Sequence, residues 1–169
     1  MKSISLKKMV LAALFAALTV IATYISFPLP GNGYANIGDC FVILSGIILG
    51  PYGIAAAALG SSLADVILGY VYYAPATFII KGLMATVAFL LIGKKEHVGA
   101  FKIGISLLIC EIIMIGGYFL FEIPLYGIGV ALTDVIGNSI QGLVGAISSA
   151  VLYTVLKKSK IIDRIKGDL

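Results

Sequence analysis

The chain has no tryptophan, one histidine and two cysteines, and only 12% of its 169 residues are charged. Each shortage excludes something. Without indoles, any stacking of a ring falls to tyrosine, with Tyr34, Tyr72, Tyr73 and Tyr118 as the candidate platforms. Cys40 and Cys110 both lie in apolar sequence and His97 is isolated from them, so neither a disulfide scaffold nor a Cys/His metal site has its ligands. No metal and no resident cofactor is expected. The same scarcity leaves no Ser/His/Asp or Cys/His set for covalent catalysis. A phosphate-binding G-x-x-x-x-G-K-[ST] loop is also missing, because Gly93-Lys94-Lys95 has no glycine at the required distance upstream and no hydroxyl residue after it. An enzyme is therefore not expected.

What the chain does have is grease. Sixty per cent of it is hydrophobic (60%), more than a water-soluble domain of this length can hide. It reads as an all-α integral membrane protein forming one domain, residues 1–169. The net charge of +4 does not indicate nucleic acid, since the basic residues cluster at the borders of hydrophobic runs, where topology signals sit.

A helix needs about 20 apolar residues to cross the hydrocarbon core. Residues 9–27 meet that length without a charge; the run is too long for a signal-peptide core and lacks a small-x-small cleavage site, so it reads as a retained first helix. Residues 40–93 carry only Asp65 and Lys81 and are punctuated at Gly50-Pro51-Tyr52-Gly53 and at Tyr72-Tyr73-Ala74-Pro75, which is turn chemistry. The expected helices are 9–27, 39–49, 54–71, 76–92, 99–121 and 133–156, the second long enough for only part of the bilayer. Of the 12 basic residues all but Lys81 fall in three groups, at 2–8, 94–102 and 157–166. Six crossings put the three groups on one face, with both termini cytoplasmic. Fusing 40–64 into one span would put the middle group outside, which rejects five.

With that topology every intramembrane charge or amide falls in the outer half. Asn36 and Asp39 stand at the outer mouth of helix 2, Asp39 as its expected N-cap or, alternatively, as a ligand contact. Asp65 and Lys81 come out at similar depth on consecutive antiparallel helices and are expected to pair. Glu111, Tyr118 and Glu122 share one face of helix 5, and Asp134, Asn138 and Gln141 repeat the arrangement on helix 6. A charge at bilayer depth costs about 2.5 to 3.5 kcal/mol on insertion scales, so such groups must face one another or a cavity. The convergence of Glu111, Tyr118, Asn138 and Gln141 reads as a ligand pocket, against a buried network that only joins helices 5 and 6.

Residues 27–41, FPLPGNGYANIGDCF, form a loop longer than a plain helix connector needs. Pro28 and Pro30 stiffen its start, Gly31, Gly33 and Gly38 permit close approach, and Asn32, Tyr34 and Asn36 offer hydrogen bonds and a ring. It reads as an external lid over the pocket mouth. Helix 1 carries Ala12, Ala13, Ala16 and Ala17, two overlapping small-xxx-small patterns that suit close helix approach, either within the chain or to another protein.

The string IGDCFVILSGIILGPYGIAAAALGSSLADVILGYVYYAPATFIIKGL, residues 37–83, resembles the substrate-binding S component of energy-coupling factor (ECF) vitamin transporters. The Gly38-Asp39 opening, the turn at Gly50-Pro51, Gly60-Ser61-x-x-Ala64-Asp65 and Ala74-Pro75-x-x-Phe78-x-x-Lys81-Gly82 carry the likeness, which is to the branch associated with riboflavin, hydroxymethylpyrimidine and pyridoxine. The resemblance implies six helices, a first loop acting as lid, and capture of a vitamin outside the plasma membrane of a prokaryote. It further implies docking to a transmembrane coupling (T) subunit and two cytoplasmic ATPases, with Ala12, Ala13, Ala16 and Ala17 as the docking surface. The implied pocket comprises Asn36, Lys81, Glu111, Tyr118, Asn138 and Gln141, beside Asn32, Tyr34, Asp39 and Tyr73 from the residues themselves. Few aromatics and several carboxylates and amides suit a small single ring, pyridoxine-like or hydroxymethylpyrimidine-like, better than riboflavin. A stand-alone facilitator or channel is the rival of another class; it needs polar residues in the inner half, where only Thr86, Ser106, Ser148 and Ser149 are available.

Overall fold

The computed structural model describes residues 6–28, 34–95 and 98–167. Helix α1 (Leu6–Tyr24) is an uninterrupted run of leucine, alanine and methionine with a few β-branched residues. It ends where Pro28 biases the residue before it towards extended backbone, and Phe27–Pro28 pairs antiparallel with Tyr34–Ala35, Phe27 opposite Ala35. This two-rung ladder closes the base of the predicted lid. The tip, Asn32 included, lies outside the described residues.

Helix α2 (Gly38–Leu49) follows at once. Its N-cap is Ile37, which supplies no side-chain bond. The capping role passes to Asn36, whose Oδ1 accepts from the Gly38 amide at 2.7 Å. Asp39 is therefore not the N-cap its position implies: it lies in the first turn, 1% exposed, because its carboxylate is taken by groups on other helices. At 12 residues α2 is roughly 18 Å long, short of the ~30 Å hydrocarbon core, yet 11 of those residues are buried. It is the axis of the bundle, packed by α1 and by every longer helix except α5.

Gly50, at φ +57, turns the chain so sharply that helix α3 (Pro51–Leu68) begins on the next residue, three earlier than predicted, with Pro51 in the first turn, where a missing N–H costs nothing. Helix α4 (Ala74–Ala88) runs on as a π-helical turn, Phe89–Gly93. Helices α5 (Ala100–Tyr126) and α6 (Ile128–Lys158) both extend into the stretch expected as an outer loop, so that only Gly127, at φ +82, separates them. Pro124 lies in the last turn of α5 without ending it, and Glu122, expected on one face with Glu111 and Tyr118, is buried there.

A seventh helix, α7 (Ile161–Gly167), was not anticipated. It is short and amphipathic: Ile162 is 1% exposed against the core, and Lys166 donates to the Gly93 carbonyl oxygen at 2.7 Å. Lys157 pairs with Asp163 beside it.

Among the described residues five helices are long and apolar enough to cross a membrane, and α2 is the shorter sixth of this all-α membrane protein. Leucine and isoleucine at 14, 21, 63, 112, 143 and 147 stand more than half exposed around the outside, as a lipid-facing surface requires. The two ends of the bundle differ. Lys8 lies over the Tyr52 ring at 6.0 Å and Lys166 reaches Gly93, so the basic groups gather at the end bearing the Gly50 turn. The intramembrane polar residues gather at the opposite end.

Close backbone approach holds α2 in place. A Cβ on Gly46 would stand 2.2 Å from the Ala85 carbonyl oxygen, and one on Gly53 would stand 1.8 Å from that of Ser45. Backbone cannot step aside as a side-chain tip can. Gly46→Ala is therefore expected to lower stability by about 1 to 3 kcal/mol or more. Gly104→Ala, where a Cβ meets nothing within 4 Å, should be neutral or stabilising, both being read from apparent melting temperatures in detergent.

Candidate binding site

At the end away from the lysines, the C-terminal halves of α1, α3 and α5 and the N-terminal halves of α2, α4 and α6 meet around a cavity of about 50 Å³. Alternating helix direction is what brings these segments together.

Asp39 forms one wall. Lys81, on α4, donates to its Oδ1, and Gln141 Nε2, on α6, donates to its Oδ2 at 3.0 Å. Three helices thus meet on one carboxylate, and Lys81 and Asp39 are each at most 5% exposed. The predicted partner for Lys81 was Asp65. Depth along a helix was read correctly for both, but depth does not say which helix lies beside which; the central position of α2 brings Asp39 to Lys81. Asp65 lines the same cavity from α3.

Above the ion pair the wall is aromatic. Lys81 Nζ stands 5.6 Å from the centre of the Tyr118 ring, and the Tyr118 hydroxyl lies 2.9 Å from Thr77 Oγ1. Tyr73 sits among Tyr70, Tyr118, Phe121 and Tyr126, with ring centres 5.4 to 6.4 Å away, and its hydroxyl donates to Glu122 Oε1 at 3.3 Å. Such edge and tilted contacts fix ring positions beyond what burial alone would do.

Of the residues singled out in the sequence, Asn36, Asp39, Tyr73, Lys81, Tyr118, Asn138 and Gln141 share this lining. Glu111 does not. It is 3% exposed behind the wall, where Gly142 and Gly145 on α6 make room for it, and neither of its oxygens has a hydrogen-bond partner among the described residues. A Cβ on Gly145 would stand 2.7 Å from Glu111 Oε1 and 2.9 Å from Asp39 Cβ, so α2, α5 and α6 meet at that glycine. Tyr34 enters through its backbone ladder, and Asn32 is outside the described residues. Tyr72 is 85% exposed and stacks on nothing in the site.

Tyr70, Thr77, Glu122, Ser61 and Thr23 line the cavity without having been singled out for it. Helical spacing held the signal for two of them. Thr77 is four residues before Lys81 and Glu122 four after Tyr118, so each pair shares a face.

The alanines of α1 divide. Ala12 and Ala16 pack inward, Ala16 so tightly on α3 that a Cβ on Gly60 would lie 2.7 Å from its carbonyl oxygen. Ala13 and Ala17 are exposed.

The model of the family described as "ECF-type riboflavin transporter, S component" matches residues 3–158. An uncharacterised protein of Pyrococcus woesei, from the gap 3′ region, is 33% identical over 144 residues, covering 84% of this chain and 95% of that one. The thiamine precursor transporter HmpT of Lactococcus lactis subsp. cremoris is 28% identical over 167 residues, covering 94% of this chain and 93% of that one.

The ion pair yields a test. Lys81→Met leaves a buried carboxylate with only Gln141 to answer it, and is expected to cost about 3 to 5 kcal/mol. Adding Asp39→Asn to the same protein removes the stranded charge. Ligand-free melting temperatures should therefore be lower for the single than for the double variant, and a double variant no more stable than Lys81→Met would contradict the pairing.

Proposed function

The chain belongs to the ECF-type riboflavin transporter S-component family, a multi-pass membrane transporter subunit, and from that premise we propose that it captures a single-ring vitamin or vitamin precursor and hands it inward. The substrate is pyridoxine-like or hydroxymethylpyrimidine-like. The observation that carries this reading is the cavity at one end of the bundle, walled by donors, acceptors and tyrosine rings from all six long or central helices.

Its size favours one ring. About 50 Å³ holds a few waters at roughly 10 to 15 Å³ each, so a small heterocycle that displaces them enters with modest adjustment, whereas a tricyclic flavin with its chain requires the walls to part. The name of the Lactococcus relative, a thiamine precursor transporter, agrees with a vitamin-precursor cargo.

The lysine-rich end faces the cytoplasm in this reading, which opens the cavity outward under the hairpin of residues 27–35, in the plasma membrane of a prokaryote. Beneath the cavity the core is apolar, with Ile43, Leu44, Ile47, Met84, Ile92 and Met114 at most 2% exposed. That floor blocks a continuous aqueous path and argues against a stand-alone channel. Release inward then requires partners: a transmembrane coupling subunit and two cytoplasmic ATPases. The exposed Ala13 and Ala17 ridge of α1, flanked by Val10, Leu14 and Ile21, is the face offered to the coupling subunit.

Two outcomes are expected. Mass spectrometry of protein purified without added ligand should find a single-ring compound at about one per chain; a flavin absorbance band in its place would assign riboflavin instead. Ala17→Leu should abolish co-purification with the ATPases at unchanged ligand affinity, whereas Ala16→Leu should lower stability through its contact with α3. Retention of the complex in Ala17→Leu would rule out this dock.

A further inference from the structure

Three polar atoms in the cavity wall, Ser61 Oγ, Glu122 Oε2 and Asn138 Nδ2, have no hydrogen-bond partner among the described residues. Glu122, 4% exposed, gives Oε1 to the Tyr73 hydroxyl, but its Oε2 has no partner among the described residues. Asn138 Nδ2, also buried, has none either. A buried polar atom left without a partner costs about 1 to 3 kcal/mol, so a fold that keeps three of them in one cavity wall keeps them for something that enters. Lys81 and Asp39 are already bonded to each other within the chain, and Gln141 takes the second oxygen of Asp39. They shape the wall, and the open carboxylate and amide atoms lie on α5 and α6, beside the open Ser61 hydroxyl on α3.

We propose that Glu122 and Asn138 determine specificity by reading one edge of the ligand, Glu122 Oε2 accepting from a ligand N–H and Asn138 Nδ2 donating to a ligand acceptor. This deepens the capture reading and rests on it. A ring nitrogen next to an exocyclic amine offers that donor and acceptor together, as in a 4-aminopyrimidine. A 4-oxopyrimidine offers the reverse, a carbonyl acceptor next to a ring N–H. The ring face lies against Tyr73 and Tyr118, which are held by their own contacts and stack on any flat heterocycle. Tyrosine stacking thus supplies affinity without choosing, and the choice falls to the open carboxylate and amide atoms. Phosphorylated rings are disfavoured by the same wall, because Asp65 and Glu122 line it and the one lining lysine is committed to Asp39.

The test uses full-length protein in detergent and two probes, 4-amino-5-hydroxymethyl-2-methylpyrimidine and its 4-oxo counterpart, titrated by calorimetry. The wild-type chain is expected to prefer the amino probe by at least about tenfold, the scale of one mismatched buried hydrogen bond. Glu122→Gln keeps the shape and can still accept from Tyr73, but its amide can present either an acceptor or a donor, so the ratio should fall toward one. Asn138→Asp replaces the open donor with an acceptor and should weaken the amino probe by at least about tenfold. Melting temperatures report whether either variant is merely misfolded. An unchanged ratio in Glu122→Gln, equal weakening of both probes, or a wild-type preference for the oxo probe overturns the edge assignment while leaving capture intact. Failure of the wild type to bind either probe, or pyridoxine, overturns the single-ring reading and this assignment with it.

Discussion

A carboxylate in the middle of a membrane protein must be answered by something, and Asp39 is answered from two other helices. Lys81 comes from α4 and Gln141 from α6, each to its own oxygen. Burying charge is expensive, and the pair is not evidence of net stability, since an apolar replacement of equal volume could do as well. What the pair does is specify. With Asp39 at the head of α2, only one axial placement of that helix satisfies both partners, and that placement sets the shape of the cavity wall.

Placement of α2 is then enforced by packing. Lipid gives no hydrophobic drive for helices to associate, so close contact and polar bonds must do it. Gly46 against Ala85 and Gly53 against Ser45 let backbones touch, and Ser45 Oγ lies within hydrogen-bond reach of both Val42 O and Gly53 O, at 2.8 and 2.9 Å. A helix too short to span the bilayer is tolerable because protein covers it on nearly every side. Its short length also leaves the end of the bundle away from the lysines free for a cavity, instead of filling it with side chains.

The same small-residue chemistry serves two ends elsewhere. On α6, Gly142 and Gly145 make space for the Glu111 side chain behind the cavity wall. On α1, two interleaved alanine pairs point in different directions, one into α3 and the other away from the bundle. Spacing in a sequence cannot separate these uses, because both faces of a helix show the same i, i+4 repeat.

How much was legible follows from that. Composition, run length and the three basic groups were enough for an all-α membrane protein with one short helix, because lipid forces every span to satisfy its own backbone and lysine position reports orientation. The depth of Asp39, Lys81, Tyr118, Asn138 and Gln141 could also be counted from helix ends, and they do share a cavity. Tertiary structure alone decided who meets whom. It gave Lys81 to Asp39 instead of Asp65, moved Glu111 behind the wall, brought Glu122 into the lining, and folded α7 under the bundle. The reason is geometric: periodicity fixes the depth and face of a residue on its own helix, but the rotation and neighbours of that helix are set by contacts far away in the chain, of which Asp39 to Gln141, 102 residues apart, is the longest in this site.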